Sequence, residues 1–127
     1  INYGKYLIDK GIIEGPHYWN LIFGNIAGFQ AKTTHIDVAI SEIPESHFIG
    51  LGGIGNHQLF TNTLGIEKNC GVRVGIEDNI WWNEEKTKKS KNIDLIKRIH
   101  SIIQANNKEV FNAREFGALG FYNTQEH

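Results

Sequence analysis

The chain has 127 residues, 40% of them hydrophobic, and a formal net charge of -1, which suits one domain with a modest core and argues against a nucleic-acid surface. No apolar run approaches the ~20 residues of a bilayer span and no signal peptide is visible, so no membrane partner is expected. The single cysteine, Cys70, excludes an internal disulfide framework and suits a reducing cytoplasm, where it reads as a small residue packed before a strand.

In chain order, residues 2–10 read as a helix that Gly11 can stop. No start signal precedes it, and the chain opens at Ile1 and holds no methionine. A piece of a longer protein, or one half of a split one, is therefore expected. "PHYWNLIFG", residues 16–24, is an aromatic and aliphatic run between breakers, which predicts a strand. Thr33 or Thr34 can cap a helix through Ile43, with Ile36, Ala39, Ile40 and Ile43 at helical spacing and Pro44 as its stop. "SHFIGLGGIG", residues 46–55, predicts a second strand running into glycines. Residues 57–68 predict a helix, and residues 71–76 a third strand. A polar loop with Trp81 and Trp82 packed over it follows, and contains the short cationic run 86–91. Asn92 is placed to cap the strongest helix, with Ile93, Ile96, Ile99 and Ile103 on one stripe widened by Leu95 and Ile102. "KEVF", residues 108–111, predicts a very short fourth strand. Asn112 and Glu115 fit a capping box for a last helical turn. Alternating strands and helices of this kind predict a parallel sheet with crossover helices in a single domain.

"GLGGIG", residues 50–55, fits G-x-G-x-x-G between a strand and a helix. Glu77 lies about twenty residues further on, where a dinucleotide fold places its ribose-binding acid. Against that reading, a strand–helix unit already precedes the motif, whereas the fingerprint usually opens the fold. Glycines that only permit tight turns, or a loop lining another pocket, fit better than a dinucleotide site.

"GVRVGIEDN", residues 71–79, ends an apolar strand in two adjacent carboxylates, Glu77 and Asp78. Such neighbours repel each other and are hard to desolvate together. Arg73 and Glu77 would share one strand face, with Val74 and Ile76 on the other. Asp78 would point away along an ideal strand unless the strand end turns it inward. A solvated strand end, with Asp78 capping the next segment and Arg73 in an ordinary ion pair, is an equal reading of these residues alone.

Several segments in order resemble the β-keto acid cleavage enzymes, the family of the 3-keto-5-aminohexanoate cleavage protein. They are "GVRVGIEDN", "PHYWNLIFGNIAG", "GGIGNHQL" and "NIDLIKRIHSIIQANNKEVFNAREFGALG", and they span nearly the whole chain. The resemblance implies an α/β fold, a (β/α)8 TIM barrel. Such a barrel needs ~250 residues, so the chain corresponds to its C-terminal half, strands 5–8 with their helices, preceded by the helix after strand 4. The family reaction joins a β-keto acid with acetyl-CoA as co-substrate and gives acetoacetate and a new CoA thioester. The resemblance makes Glu77 a ligand of a bound zinc and Asp78 the acid–base group working with Arg73. The two histidine ligands, an H-x-H pair, belong to the missing N-terminal half. The six histidines here (17, 35, 47, 57, 100 and 127) never form H-x-H and read as surface or helix residues. Asn20 is a candidate substrate-binding residue or a satisfied structural amide. Asn56 stands where the family usually has arginine. That removes a cation able to meet a substrate carboxylate or CoA phosphate, and His57 compensates only when protonated. Partners implied are the N-terminal half-barrel, the keto acid and acetyl-CoA, with self-association of the isolated chain and no nicotinamide or flavin. The alternative functions are a non-catalytic half-barrel assembly module and a dinucleotide-binding fragment.

Overall fold

A computed structural model describes residues 1–122. Three strands, β1 (Tyr18–Phe23), β2 (Phe48–Gly53) and β3 (Gly71–Val72), form one parallel sheet in the order β1-β2-β3. The helices α1 (Asn2–Asp9), α2 (Thr33–Ser41), α3 (His57–Glu67) and α4 (Asn92–Ala105) alternate with them. The short α5 (Ala113–Phe116) runs into a π turn at Gly117–Phe121. The expected small α/β fold with helical crossovers is therefore present.

Side chains alternate across a pleated sheet. The register Asn20↔Gly50 and Gly50↔Gly71 therefore sorts the strands into two faces. Trp19, Leu21, Phe23, Ile49, Leu51 and Val72 face the helices. Phe23 and Leu51 form a buried cluster with Ile36 and Ala39 of α2, and Cys70 packs against it as the sequence suggests. The opposite face carries Tyr18, Asn20, Ile22 and Phe48, and the glycines that let side chains lie flat. A methyl group on Gly50 or Gly71 would strike the Tyr18 ring or hydroxyl, and one on Gly52 would press on Arg73. Among the described residues no helix covers the upper part of this face, and Asn20 and Ile22 are exposed. Its lower part is covered by Phe116 and Phe121, which stack with centroids 4.7 Å apart and meet Tyr18 and Phe48 edge-on.

Several sequence expectations need correction. Neither Thr33 nor Thr34 caps α2: Lys32 holds the cap position and no side chain bonds the first turn. Asn92 is the first residue inside α4, not its cap. The third strand stops at Val72, with one further ladder bond from Arg73 N–H to Leu51 C=O (2.9 Å), and residues 76–78 form a turn. Residues 108–111 are not a strand. The ladder of β3 has already ended, so no neighbour is in place to pair with them, and Val110 and Phe111 are exposed. Lys108 Nζ instead donates to the carbonyls of Ile66 and Glu67 at the end of α3. In α4 the buried side is Leu95 and Ile99, while Ile93 and Ile96 remain exposed. The capping box is as read: Glu115 N–H donates to Asn112 Oδ1 (2.9 Å) and Asn112 N–H to Glu115 Oε2 (2.8 Å).

Candidate active site

The carboxyl end of the sheet gathers Arg73 and the two acids. Arg73 leaves the end of β3 over Gly52. Beyond Gly75 the chain turns, with Asp78 and Asn79 N–H groups donating to Gly75 C=O (3.3 Å each). The turn swings Asp78 back to the guanidinium. Arg73 Nε donates to Asp78 Oδ2 at 2.8 Å and Nη2 to Oδ1 at 3.2 Å, a two-pronged pair that fixes the carboxylate plane. The Asp78 side chain is only 5% exposed, so its charge is not that of a solvated strand end. The strong bond and charge of Asp78 push the Arg73 pKa further up, with a smaller contribution from Glu77. The guanidinium therefore stays charged.

Glu77 behaves differently. Its side chain is 61% exposed and approaches Arg73 Nη2 only at 3.7 Å. Exposed pairs of this length contribute little, so the carboxylate is free to bind something else. The shared strand face expected for Arg73 and Glu77 does not occur, because the chain turns before Glu77. Among the described residues, no group of three His, Cys, Asp or Glu converges where a metal could sit. Glu77 thus offers one ligand and not a site; His127 lies outside the described residues.

Other candidates fall nearby. Asn20 lies within β1, exposed on the bare face, and its side chain makes no hydrogen bond among the described residues. Asn56 is exposed at the start of α3, where its side chain makes no capping bond. Its neighbour Gly55 donates N–H to Asp78 C=O (2.8 Å), which ties this loop to the acid turn. The ring of His57 packs against Gly24, whose φ of +82° suits glycine.

Three supports escape sequence reasoning. Gln58 and Asn62 of α3 are fully buried. Gln58 Nε2 donates to Gly75 C=O (2.8 Å), and Asn62 Nδ2 to Leu51 C=O (2.9 Å) and Arg73 C=O (2.8 Å). They hold the strand end that carries Arg73 and the turn that carries Asp78. Asn92 Oδ1 accepts from Ile76 N–H (2.8 Å), so the first residue of α4 braces the same turn. The available signal was polar residues on the sheet-facing side of α3, at helical spacing, where apolar ones are the rule.

The structure is an α/β protein with a guanidinium-held carboxylate beside an exposed one at the carboxyl ends of its parallel strands, where such folds place their sites. Comparison with known proteins makes the assignment specific. The family model for beta-keto acid cleavage enzyme matches residues 1–119, and the chain belongs to that family. It is 26% identical over 110 residues to a 3-keto-5-aminohexanoate cleavage enzyme of Fusobacterium nucleatum, covering 87% of this chain and 39% of that one. The corresponding enzyme of Acetoanaerobium sticklandii is 28% identical over 93 residues, 73% of this chain and 34% of its own. A 3,5-dioxohexanoate:acetyl-CoA acetone transferase of Paraburkholderia graminis is 21% identical over 103 residues, 78% of this chain and 33% of its own. The chain therefore spans between a third and two fifths of the curated relatives it matches.

Proposed function

We propose that this chain is a single C-terminal half-barrel segment, strands 5–8 with their helices, of a (β/α)8 enzyme that converts a β-keto acid plus acetyl-CoA to acetoacetate plus a CoA thioester. The observation that carries the reading is the two-pronged Arg73–Asp78 pair with a free Glu77 in the same turn. The bare sheet face supports it, because a barrel interior is where Tyr18, Asn20, Ile22 and Arg73 would point. β1, β2 and β3 take the places of strands 5, 6 and 7. Residues 108–111 stand where strand 8 would, without a strand partner among the described residues.

In this reading Asp78 exchanges a proton with the keto acid while Arg73 fixes its orientation and remains charged. Glu77 ligates zinc together with two histidines from the N-terminal half. The metal would supply Lewis-acid polarisation of the keto acid. Asn20 faces the interior and contacts substrate. Asn56, in place of a cation at the rim, shifts substrate choice away from a second carboxylate. The same residue favours a second reading, a half-barrel that assembles or binds without turning over. The two separate on one assay: combine the chain with an N-terminal half bearing H-x-H, and follow acetoacetate formation from acetyl-CoA and a panel of β-keto acids. Product that disappears with Asp78→Asn is expected. A folded, zinc-loaded complex that forms none with any keto acid leaves the assembly module.

A further inference from the structure

The cationic run beyond the acid turn has no role in the centre described above, yet one of its lysines, Lys88, meets Lys97 and Arg98 of α4 at an open pocket. The loop after β3 and the first turns of α4 border an open groove of about 410 Å³ lined by Trp82, Lys88, Asp94, Lys97, Arg98 and Ser101. Residues 86–98 hold six Lys and Arg against one acid, Asp94, in a chain whose net charge is -1. None of the six forms an ion pair among the described residues. The Trp82 ring organises two of them, with the Arg98 guanidinium 4.4 Å and Lys88 Nζ 5.1 Å from its centroid. Arg98 Nη1 also donates to Trp82 C=O (3.0 Å).

Arg98 is left short of partners. Its Nε is buried and makes no hydrogen bond, and burial pushes its pKa down. A partly desolvated guanidinium without a counter-ion is costly, and an anion seated in the pocket would offset that cost. Phosphate suits this arrangement, since it accepts from several donors at once and carries charge for two or more cations. The pocket is also tied to the acid turn at both ends. Its loop begins directly after Asp78, and Asn92, at the start of α4, bonds Ile76 N–H. A ligand with phosphates at one end and a long arm at the other could reach from pocket to turn.

We propose that this pocket holds the phosphate groups of acetyl-CoA, whose pantetheine arm then delivers the thioester to the turn of Arg73, Glu77 and Asp78. The assignment rests on the acyl-transfer reading above for its ligand, and on the pocket for its place.

Calorimetric titration of this chain with CoA, pantetheine and inorganic pyrophosphate tests it without needing turnover. CoA should bind saturably and pantetheine should not over the same concentrations. Lys88→Gln/Lys97→Gln should weaken CoA at least tenfold while the far-UV circular dichroism is unchanged. The single variant Lys97→Gln, at an exposed helix position, should weaken it severalfold and covers the case in which the double variant folds poorly. The proposal is overturned if CoA binds no better than pantetheine, or if the variants bind CoA as the parent does. It is equally overturned if pyrophosphate binding is sensitive to the variants while CoA does not bind. In the reconstituted enzyme the two readings separate. Normal transfer with an unchanged KM for acetyl-CoA in Lys88→Gln/Lys97→Gln sinks the pocket and leaves the reaction. No transfer, with variant-sensitive CoA binding intact, sinks the reaction and leaves the pocket.

Discussion

The Arg73–Asp78 pair is a two-pronged ion pair with a buried carboxylate, and the proposed function gives it a chemical role as well. Asp78→Asn leaves the Arg73 guanidinium without its counter-ion and so lowers stability. A pair held only for stability would cost the folded enzyme no more than that, whereas general acid–base groups contribute ~10²–10⁴-fold to rate. Asp78→Asn in the complete enzyme should therefore lower kcat within that range at a temperature where the variant is still folded. Arg73→Lys keeps the charge but not the fork that fixes both Asp78 oxygens, so it should also cut turnover far more than stability. Turnover near the parent's in either variant would remove the pair from the mechanism. A different residue, His47, contributes to the acid response of the fold. Trp19 Nε1 donates to His47 Nδ1 at 3.0 Å, and the His17 ring lies 4.5 Å away. Indole is only a donor, so Nδ1 must be unprotonated. Burial and His17 lower the His47 pKa below its ordinary 6.5. The unfolded chain thus takes up this proton more readily than the folded one. The stability His47 contributes is fully present above about pH 6.5 and is lost as pH falls towards the folded pKa. Urea midpoints measured between about pH 7 and about pH 5 should drop more for the parent than for His47→Gln. Equal slopes would show that this ring does not matter to the acid response.

At the scale of elements, α3 is the part that holds the site. Asn62→Ala removes a donor to the carbonyls of Leu51, in β2, and Arg73, just past β3. Leu51 C=O keeps its bond from Arg73 N–H, but leaving the Arg73 carbonyl unpaired costs about 1–3 kcal/mol, seen as a lower urea midpoint with an unchanged slope. Gly53 shows why the glycine run need not bind a nucleotide. A Cβ there would sit 2.6 Å from the backbone oxygen of His57, so α3 could no longer pack on β2. Gly53→Ala should destabilise the chain whether or not a cofactor is added, and NADH or NADPH should give no saturable fluorescence change. Tight saturable binding of either would restore the dinucleotide reading. The helices were legible because Ile36 and Ala39, or Leu95 and Ile99, recur at the period of a helix face. β1 and β2 were legible as apolar runs between breakers. The length of β3 and the fate of residues 108–111 were not, because a strand ends where its neighbour ends, and alternation says nothing of neighbours. Arg73, Glu77 and Asp78 stood out as a group because they are close in sequence. Gln58 and Asn62 did not, since a polar residue on a helix reads as solvent-facing until the sheet beneath it is known. Asn92 misled for a related reason: an asparagine before an apolar helix fits a cap as well as an acceptor for a distant N–H.

The whole molecule leaves much of its apolar surface without a partner. β1 and β3 are edge strands, Ile22 is 39% exposed on the bare face, and Ile93 and Ile96 of α4 are 53% and 41% exposed. Phe116 and Phe121 cover Tyr18 and Phe48 at one end of that face only. Unpaired edges and exposed apolar faces invite pairing with another chain. The isolated chain is therefore expected to self-associate, and light scattering should give a mass above that of one copy. It should also hold zinc weakly, since Glu77 supplies one ligand where catalytic sites use about three. Metal analysis after gel filtration should find well under one zinc per chain, and acetoacetate formation should be absent. An N-terminal half bearing H-x-H should reverse all three results together, dispersing the self-associated species, raising zinc towards one per complex and starting turnover. The linked reversal is the informative part, because each change draws on a different surface: the sheet edges, Glu77, and the Arg73–Asp78 pair. A chain that is monomeric, carries stoichiometric zinc and turns over by itself would show that its three strands already make a complete enzyme, and the half-barrel reading would fall.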